Sequence, residues 1–394
     1  MPTLHTLRAE TPGCAHRNHL NNAGAALPPG RVLQVMQEQL DLEARIGGYE
    51  AADQATEQLA GFYQAMARLL NTDSGNIACA TSATDAYARA LSAIPWQPGD
   101  VILTTENDYV SNQIAFLSLK KRFQIKLLRA KDSDAGGVDL DDMAYLIRQH
   151  NPVLVAVTHV PTNSGLVQPV EAIGALCRAN DCWYLVDACQ SAGQLALDVQ
   201  KIGCDFLSGT FRKFLRGPRG AGFLFVSDRV LKAGLEMLLP DMRSGHWKSP
   251  DTYEPAADAR RFEYWEMSAA LILGSKAAAE YALQTGMDWI EQRVRSLAEQ
   301  ARQELSALSG VRVLDQGTDL CGIVTAYCPE WEPRKIMAYL WDRQINARIT
   351  PNYVARIDFS RKGIQWALRI SPHYYNTEAE ISAAVAALRD YPTS

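Results

Sequence analysis

The stretch from Trp183 to Val226, WYLVDACQSAGQLALDVQKIGCDFLSGTFRKFLRGPRGAGFLFV, constrains the fold more than any other part of the chain. An apolar run ends in Asp187, and Lys213 follows among Ser208, Thr210, Arg212, Arg216 and several glycines. This places an acidic group at the carboxyl end of a strand and a lysine in a polar, cationic, glycine-rich turn. Like charge from Arg212 and partial burial both disfavour the ammonium form of Lys213. An amine freed of its proton attacks carbonyl carbon to form a Schiff base. The charges alone are equally met by an ordinary solvated basic turn of Arg212, Lys213 and Arg216, so the choice rests on the whole string.

That string resembles the class V aminotransferase superfamily of fold-type I pyridoxal phosphate (PLP) enzymes. The matched positions are Asp187, Ala188, Gln190, Ser191, Gly193, Asp198, Val199, Asp205, Phe206, Lys213, Gly217, Pro218 and Gly220. The resemblance runs from about residue 19 to 390. It implies an α/β fold, a mostly parallel doubly wound sheet followed by a smaller α+β C-terminal domain. The expected division is an N-terminal arm and helix at 1–45, a large PLP-binding domain at 46–267, a connecting helical tract at 268–308 and a small domain at 309–394.

Composition fits this reading and excludes others. Apolar residues make up 47% of the 394 and charged residues 21%, with a formal net charge of -5, so nothing suggests a nucleic-acid footprint. The eight cysteines form no C-x-x-C pair and read as reduced buried thiols rather than a disulfide framework or metal cluster. No run of eighteen apolar residues calls for a membrane span. The first residues lack the apolar core of a secretory signal. The cytoplasm is the expected compartment.

In chain order, VLQVMQEQLDLEARI reads as a helix stopped by Gly47-Gly48, and 51–70 as another amphipathic helix. A short apolar strand then runs into Thr81-Ser82-Ala83-Thr84-Asp85, where a helix begins. A helix start leaves backbone N–H groups free to cradle an anion, although Ser and Thr caps open many helices that bind nothing. PVLVAVTHV is a β-branched strand suited to burial on both faces. It ends in polar residues where doubly wound sheets hold ligands. Helices are expected at 141–149, 170–179 and 229–239. The segment 240–267 reads as irregular surface loop, 268–308 as a helical tract broken near Gly286, and INARI and WALRI as strands.

The resemblance implies roles for individual residues. Lys213 anchors PLP and serves as general base, and Asp187 pairs with the pyridine nitrogen. Gln190 and Asn163 lie near the phenolic oxygen. Ala83, Thr84, Thr210 and Arg212 hold the phosphate, and Tyr109 stacks on the ring, where many persulfide-forming desulfurases carry histidine. Arg369, in an Arg-x-Ser context, binds the substrate carboxylate. A buried ion pair with a protein carboxylate is the alternative for that arginine. Asn22 is a substrate contact in the N-terminal arm. Arg261, Phe262 and Glu263 are expected at a homodimer interface.

A persulfide-forming desulfurase needs a mobile cysteine in its C-terminal domain, and no cysteine follows Cys328. Tyr109, Gly47-Gly48-Tyr49 and the lysine-loop spacing are most similar to the isopenicillin N epimerase-like and hercynylcysteine sulfoxide lyase-like branch. The leading expectation is a PLP-dependent C–S lyase acting on a cysteine-derived amino acid. An aminotransferase and an epimerase are the alternatives.

Overall fold

A computed structural model describes residues 3–392. The N-terminal arm contributes a two-residue strand, β1 (Asn18–His19). Seven strands form the central sheet: β2 (Ile77–Ala80), β3 (Val101–Thr105), β4 (Lys126–Ala130), β5 (Leu154–Thr158), β6 (Trp183–Asp187), β7 (Phe206–Thr210) and β8 (Gly222–Val226). Their order is β2-β8-β7-β6-β5-β3-β4. From β7 to β4 every pairing is parallel, and β8 runs antiparallel to both of its neighbours.

Strand residues are apolar at successive positions because both faces of this sheet are covered. Val155, Val157, Tyr184, Val186, Leu207 and Phe223 pack on one face, and Leu154, Ala156, Leu185, Phe206 and Leu224 on the other. Period-two alternation thus assigns side chains to two cores rather than to core and solvent. The loops at the carboxyl ends of β5, β6 and β7 share one edge of the sheet.

Two strands missed by the sequence reading, β9 (Gly245–Ser249) and β10 (Thr252–Pro255), form an antiparallel hairpin inside 240–267. It projects Trp247, which is 80% exposed. The C-terminal layer is an antiparallel sheet of β11 (Arg312–Val313), β12 (Val324–Tyr327), β14 (Arg348–Pro351) and β15 (Trp366–Ile370), in the order β11-β12-β15-β14. Helices Met287–Ser306 and Glu378–Arg389 cover it through Leu297, Leu305, Ile381 and Leu388. A further short strand, β13 (Ile345–Asn346), pairs in parallel with β1 and so ties the N-terminal arm to this layer.

Two helical expectations change, and one helix is new. The 51–70 helix is two pieces, Gly48–Gln54 and Thr56–Leu70. The 229–239 helix is only Asp228–Lys232, because Gly234 takes a positive φ of 73° and the Leu235 N–H turns back to the Val230 carbonyl. Arg356–Lys362, not anticipated, is helical. The side chains of Arg261, Phe262 and Glu263 point inward rather than toward a neighbour. Glu263 is fully buried and accepts from the Cys79 N–H at 2.7 Å, the Tyr63 hydroxyl at 2.9 Å and Arg243 Nε at 3.0 Å.

The Lys213 turn is held from three sides. The Ala26 N–H donates to the Arg212 carbonyl, and His373 Nε2 donates to the Phe214 carbonyl at 2.7 Å while its Nδ1 accepts the Tyr374 N–H. Arg216 is buried rather than solvated. It donates to the Leu27 carbonyl at 2.9 Å and the Tyr374 hydroxyl at 2.7 Å, and it lies over the Tyr375 ring at 4.5 Å. On the third side lies Gly193, with φ 93°. A Cβ there would sit 2.3 Å from the Phe214 carbonyl carbon and 2.4 Å from the Leu215 nitrogen.

Gly193→Ala should therefore cost about 3 kcal/mol or more through backbone strain combined with overpacking. Urea denaturation checks the stability, and cofactor content after purification checks the turn. A variant with wild-type stability would mean that the two turns can separate freely.

Candidate active site

Lys213 and Asp187 face one cavity at the carboxyl edge of the central sheet. Ala83, Thr84, Tyr109, Gln190, Thr210 and Arg212 line it as well. Eight residues singled out from sequence thus meet in one place. Asp187 ends β6, and its Oδ1 accepts the Cys189 N–H at 2.9 Å while its Oδ2 accepts from Asn112 Nδ2 at 3.0 Å. Lys213 is 6% exposed. Burial depresses its proton affinity below that of an ordinary lysine, and Arg212 adds to the effect. The neutral amine is favoured accordingly.

The opening of helix Ala83–Ala93 forms one wall. Ser82 caps it by accepting the Asp85 N–H at 3.1 Å, leaving first-turn amides to face the cavity. Gly222 of β8 runs behind this turn. A Cβ at that position would lie 2.4 Å from the Ser82 carbonyl carbon and 2.7 Å from the Ala83 nitrogen. Only glycine lets the strand pass without filling the cradle. Opposite, Arg212 donates to the Gly24 carbonyl and Thr210 to the Ala221 carbonyl.

Arg369 on β15 is 6% exposed and pairs with no carboxylate among the described residues. Its Nη1 donates to the Thr162 carbonyl at 3.0 Å and to the Thr162 hydroxyl at 2.6 Å, and its Nη2 donates to Asn21 Oδ1 at 3.1 Å. Nε has no partner. Burial, with Arg348 and Arg212 nearby, lowers its pKa to about 10. The structure therefore lacks the internal ion pair that was the alternative for this residue. A buried guanidinium without an anion is costly unless a ligand supplies one.

Asn22, Asn163 and Arg369 lie outside the cavity lining, and Arg369 touches that lining through Thr162. Asn22 is a clamp for the arm: its Nδ2 donates to the Ser371 carbonyl at 2.7 Å, and its Oδ1 accepts from the Tyr375 hydroxyl. Asn163 donates to Asn107 Oδ1 at 3.0 Å and to Asp358 Oδ2 at 2.9 Å. Their neighbours Asn21 and Thr162 reach Arg369 instead, and Thr162 lines the cavity. Sequence reasoning also missed Cys189, a half-buried cavity thiol held protonated by burial and by Asp187, with its pKa pushed up to about 12.

The residues fit PLP. Besides Lys213 and the cradle, Gln190 Oε1 is buried without a partner. Its Nε2 is engaged by the Ala23 carbonyl at 3.1 Å and the Thr162 hydroxyl at 2.8 Å, so a group bound here meets an acceptor or draws Nε2 away from Thr162. Among the described residues no cluster of three or more His, Cys, Asp or Glu could hold a metal, and no helix is long and apolar enough to cross a membrane.

A doubly wound, mostly parallel sheet with this lysine and aspartate on adjoining loops is the fold-type I architecture. The family model for aminotransferase class V matches residues 18–384, and the chain belongs to that family. Its cofactor is pyridoxal 5′-phosphate. The chain is 26% identical over 384 residues to a probable cysteine desulfurase of Pyrococcus abyssi, covering 94% of this chain and 93% of that protein. It is 27% identical over 371 residues to a probable hercynylcysteine sulfoxide lyase of Mycobacterium tuberculosis, covering 94% and 89%. The apo cysteine desulfurase from Thermococcus onnurineus NA1 has the same fold, with a TM-score of 0.90 at 24% identity and coverage of 99% and 98%.

Arg369→Met should lower kcat/KM about 100-fold, the order expected when a buried charge contact of about 2–5 kcal/mol is lost. The same change should stabilise the apoprotein by roughly 1–3 kcal/mol, because an unpaired buried cation disappears. Steady-state kinetics and thermal unfolding of the apoprotein read the two effects. Lower stability with unchanged kcat/KM would mean that Arg369 is structural.

Proposed function

We propose that the chain is a PLP-dependent C–S lyase that cleaves a cysteine-derived amino acid by β-elimination. The observation that carries this reading is the distribution of thiols. Persulfide transfer needs a reactive cysteine at the cavity mouth, yet no cysteine follows Cys328, and Cys321 and Cys328 are buried. The segment that would have to present one is occupied by β14 and helix Arg356–Lys362. Cys189 reaches the cavity with its thiol held protonated, the form that does not act as a nucleophile. The relative named as a probable hercynylcysteine sulfoxide lyase supports the same reading, and those named as probable cysteine desulfurases support a cysteine-related substrate.

Bound PLP supplies an electron sink for the bond broken at the substrate Cα. Lys213 holds the cofactor and then, as a neutral amine, takes the proton from Cα. Asp187 would hold a proton on the ring nitrogen. The Ser82–Thr84 turn, Thr210 and Arg212 bind the phosphate, and Tyr109 covers the ring. Arg369, steadied by Thr162 and Asn21, grips the α-carboxylate. The Cα proton moves to Lys213, the pair it leaves forms a Cα=Cβ double bond, and the Cβ–S bond breaks with its electron pair leaving on sulfur, which takes up a proton. The three-carbon fragment is hydrolysed to pyruvate and ammonia.

The experiment incubates the enzyme with cysteine, cystine, cysteine conjugates and their sulfoxides, and assays pyruvate and ammonia without a keto acid. Equal yields of both, abolished in Lys213→Ala, are expected. Amino transfer that requires a keto acid, or protein-bound persulfide, would replace this assignment.

The working form is read as a homodimer. Leu238, Leu239, Met242, Trp247 and Trp265 are large apolar side chains left exposed within 238–265, the stretch that carries the β9–β10 hairpin. Light scattering should give twice the chain mass. A monomer at micromolar concentration would end this part of the proposal.

A further inference from the structure

Behind Asp187 lies a second buried carboxylate that none of the assigned roles uses. Asp108 precedes Tyr109 and is buried, with no lysine or arginine paired to it among the described residues. Its Oδ1 accepts from the Tyr109 N–H at 2.7 Å, from the Thr158 hydroxyl and from Asn112 Nδ2 at 3.3 Å. Its Oδ2 accepts from Gln113 Nε2 at 2.6 Å and from the Thr104 hydroxyl at 3.2 Å. Asn112 Nδ2 also donates to Asp187 Oδ2 at 3.0 Å. One amide therefore bridges two carboxylates. The chain continues outward, since Gln113 Oε1 accepts from Arg129 Nη2 at 2.6 Å.

Spacing explains why these groups converge. Asp108 lies in the loop just before Tyr109, the N-cap of helix Val110–Phe123, and Asn112 on the helix's first turn, and both meet Thr158 at the end of β5. A solvated role would leave Asp108 exposed. Here every acceptor position is filled by a donor of the chain. Such an investment in holding a buried carboxyl group needs a purpose, because hydrophobic replacement of buried polar groups is often neutral or stabilising.

We propose that Asp108 is a positioning residue for the cofactor's pyridine ring, acting through Asn112 on Asp187 and through the Tyr109 backbone on the ring that covers the cavity. Asn112 restrains the Asp187 carboxylate with Asp108 behind it; burial pushes the Asp108 carboxyl up, the Thr158, Gln113 and Tyr109 donors favour its anion, and as the anion it is a second negative charge behind Asp187. That charge strengthens the hold of Asp187 on a proton at the ring nitrogen. The other groups facing Asp187 are Lys213 and Arg212 from the β7–β8 turn and the Cys189 thiol beside it, and Tyr87 approaches from helix Ala83–Ala93. The cations oppose what Asp108 does, which gives the second carboxylate its use. The inference rests on Asp187 facing the ring nitrogen.

The test loads wild type, Asp108→Asn, Asn112→Ser and Asp187→Ala with PLP isotopically labelled at the ring nitrogen and reads its protonation by nitrogen NMR at one pH. In wild type the nitrogen should be protonated, and Asp187→Ala should move the signal to the unprotonated position. Asp108→Asn and Asn112→Ser should move it part of the way and lower kcat about tenfold with KM nearly unchanged, as for a change of about one unit in proton affinity. Wild-type signals in both variants alongside a shifted Asp187→Ala would overturn the role of Asp108 and leave Asp187 in place. An unmoved Asp187→Ala would overturn both. Should Asp108→Asn fail to fold, Asn112→Ser and Thr158→Val, which deletes a single hydroxyl donor, carry the same decision.

Discussion

Gly193 and the Phe214–Leu215 backbone approach so closely that no side chain fits between them. The aspartate turn and the lysine turn share that contact, which sets the separation of Asp187 and Lys213 before any ligand arrives. Strand pairing could not do this alone, because Asp187 ends β6 but Lys213 stands on the loop beyond β7. The arm and the C-terminal layer complete the enclosure through the Arg212 and Phe214 carbonyls. Loops normally move more than the elements they join. Here three separate parts of the chain hold one loop still.

Much of the site was legible because its residues act within short segments. Asp187, Gln190, Gly193 and Lys213 sit at spacings that a single turn enforces, and the β-branched strands announce a sheet covered on both sides. What escaped was set by long-range register. Asn21 and Asn22 are identical in type, but the bridge between Asn21 and Ser371 fixes which of them faces Arg369. Thr162 and Asn163 are divided in the same way, one toward the cavity and one toward Asp358. The β9–β10 hairpin escaped for another reason. Its strands are exposed on both faces, so they carry no alternation of apolar and polar residues.

Two buried arginines show how differently the chain treats cationic charge. Arg216 is satisfied by a carbonyl, hydroxyls and tyrosine rings, and it serves to join the arm, the lysine turn and Tyr374. Arg369 is left with a free Nε and a depressed pKa. The first is a completed structural node. The second is an incomplete one, and its deficit marks where an anion belongs.

The pairing of β1 with β13 joins parts of the chain that are far apart in sequence; His19 and Asn346, bonded side chain to side chain, are 327 positions apart. During synthesis the lysine, the aspartate and the phosphate cradle emerge long before β15. A chain halted short of β15 keeps Lys213 and Asp187, yet it has neither Arg369 nor the strand edge that seats Leu20 to Asn22. Arg369 and the seat of Leu20 to Asn22 are thus assembled last. An unfinished copy would carry the β6 and β7 turns without Arg369 and its bonds to Thr162 and Asn21, so the order of translation places these contacts among the last to form.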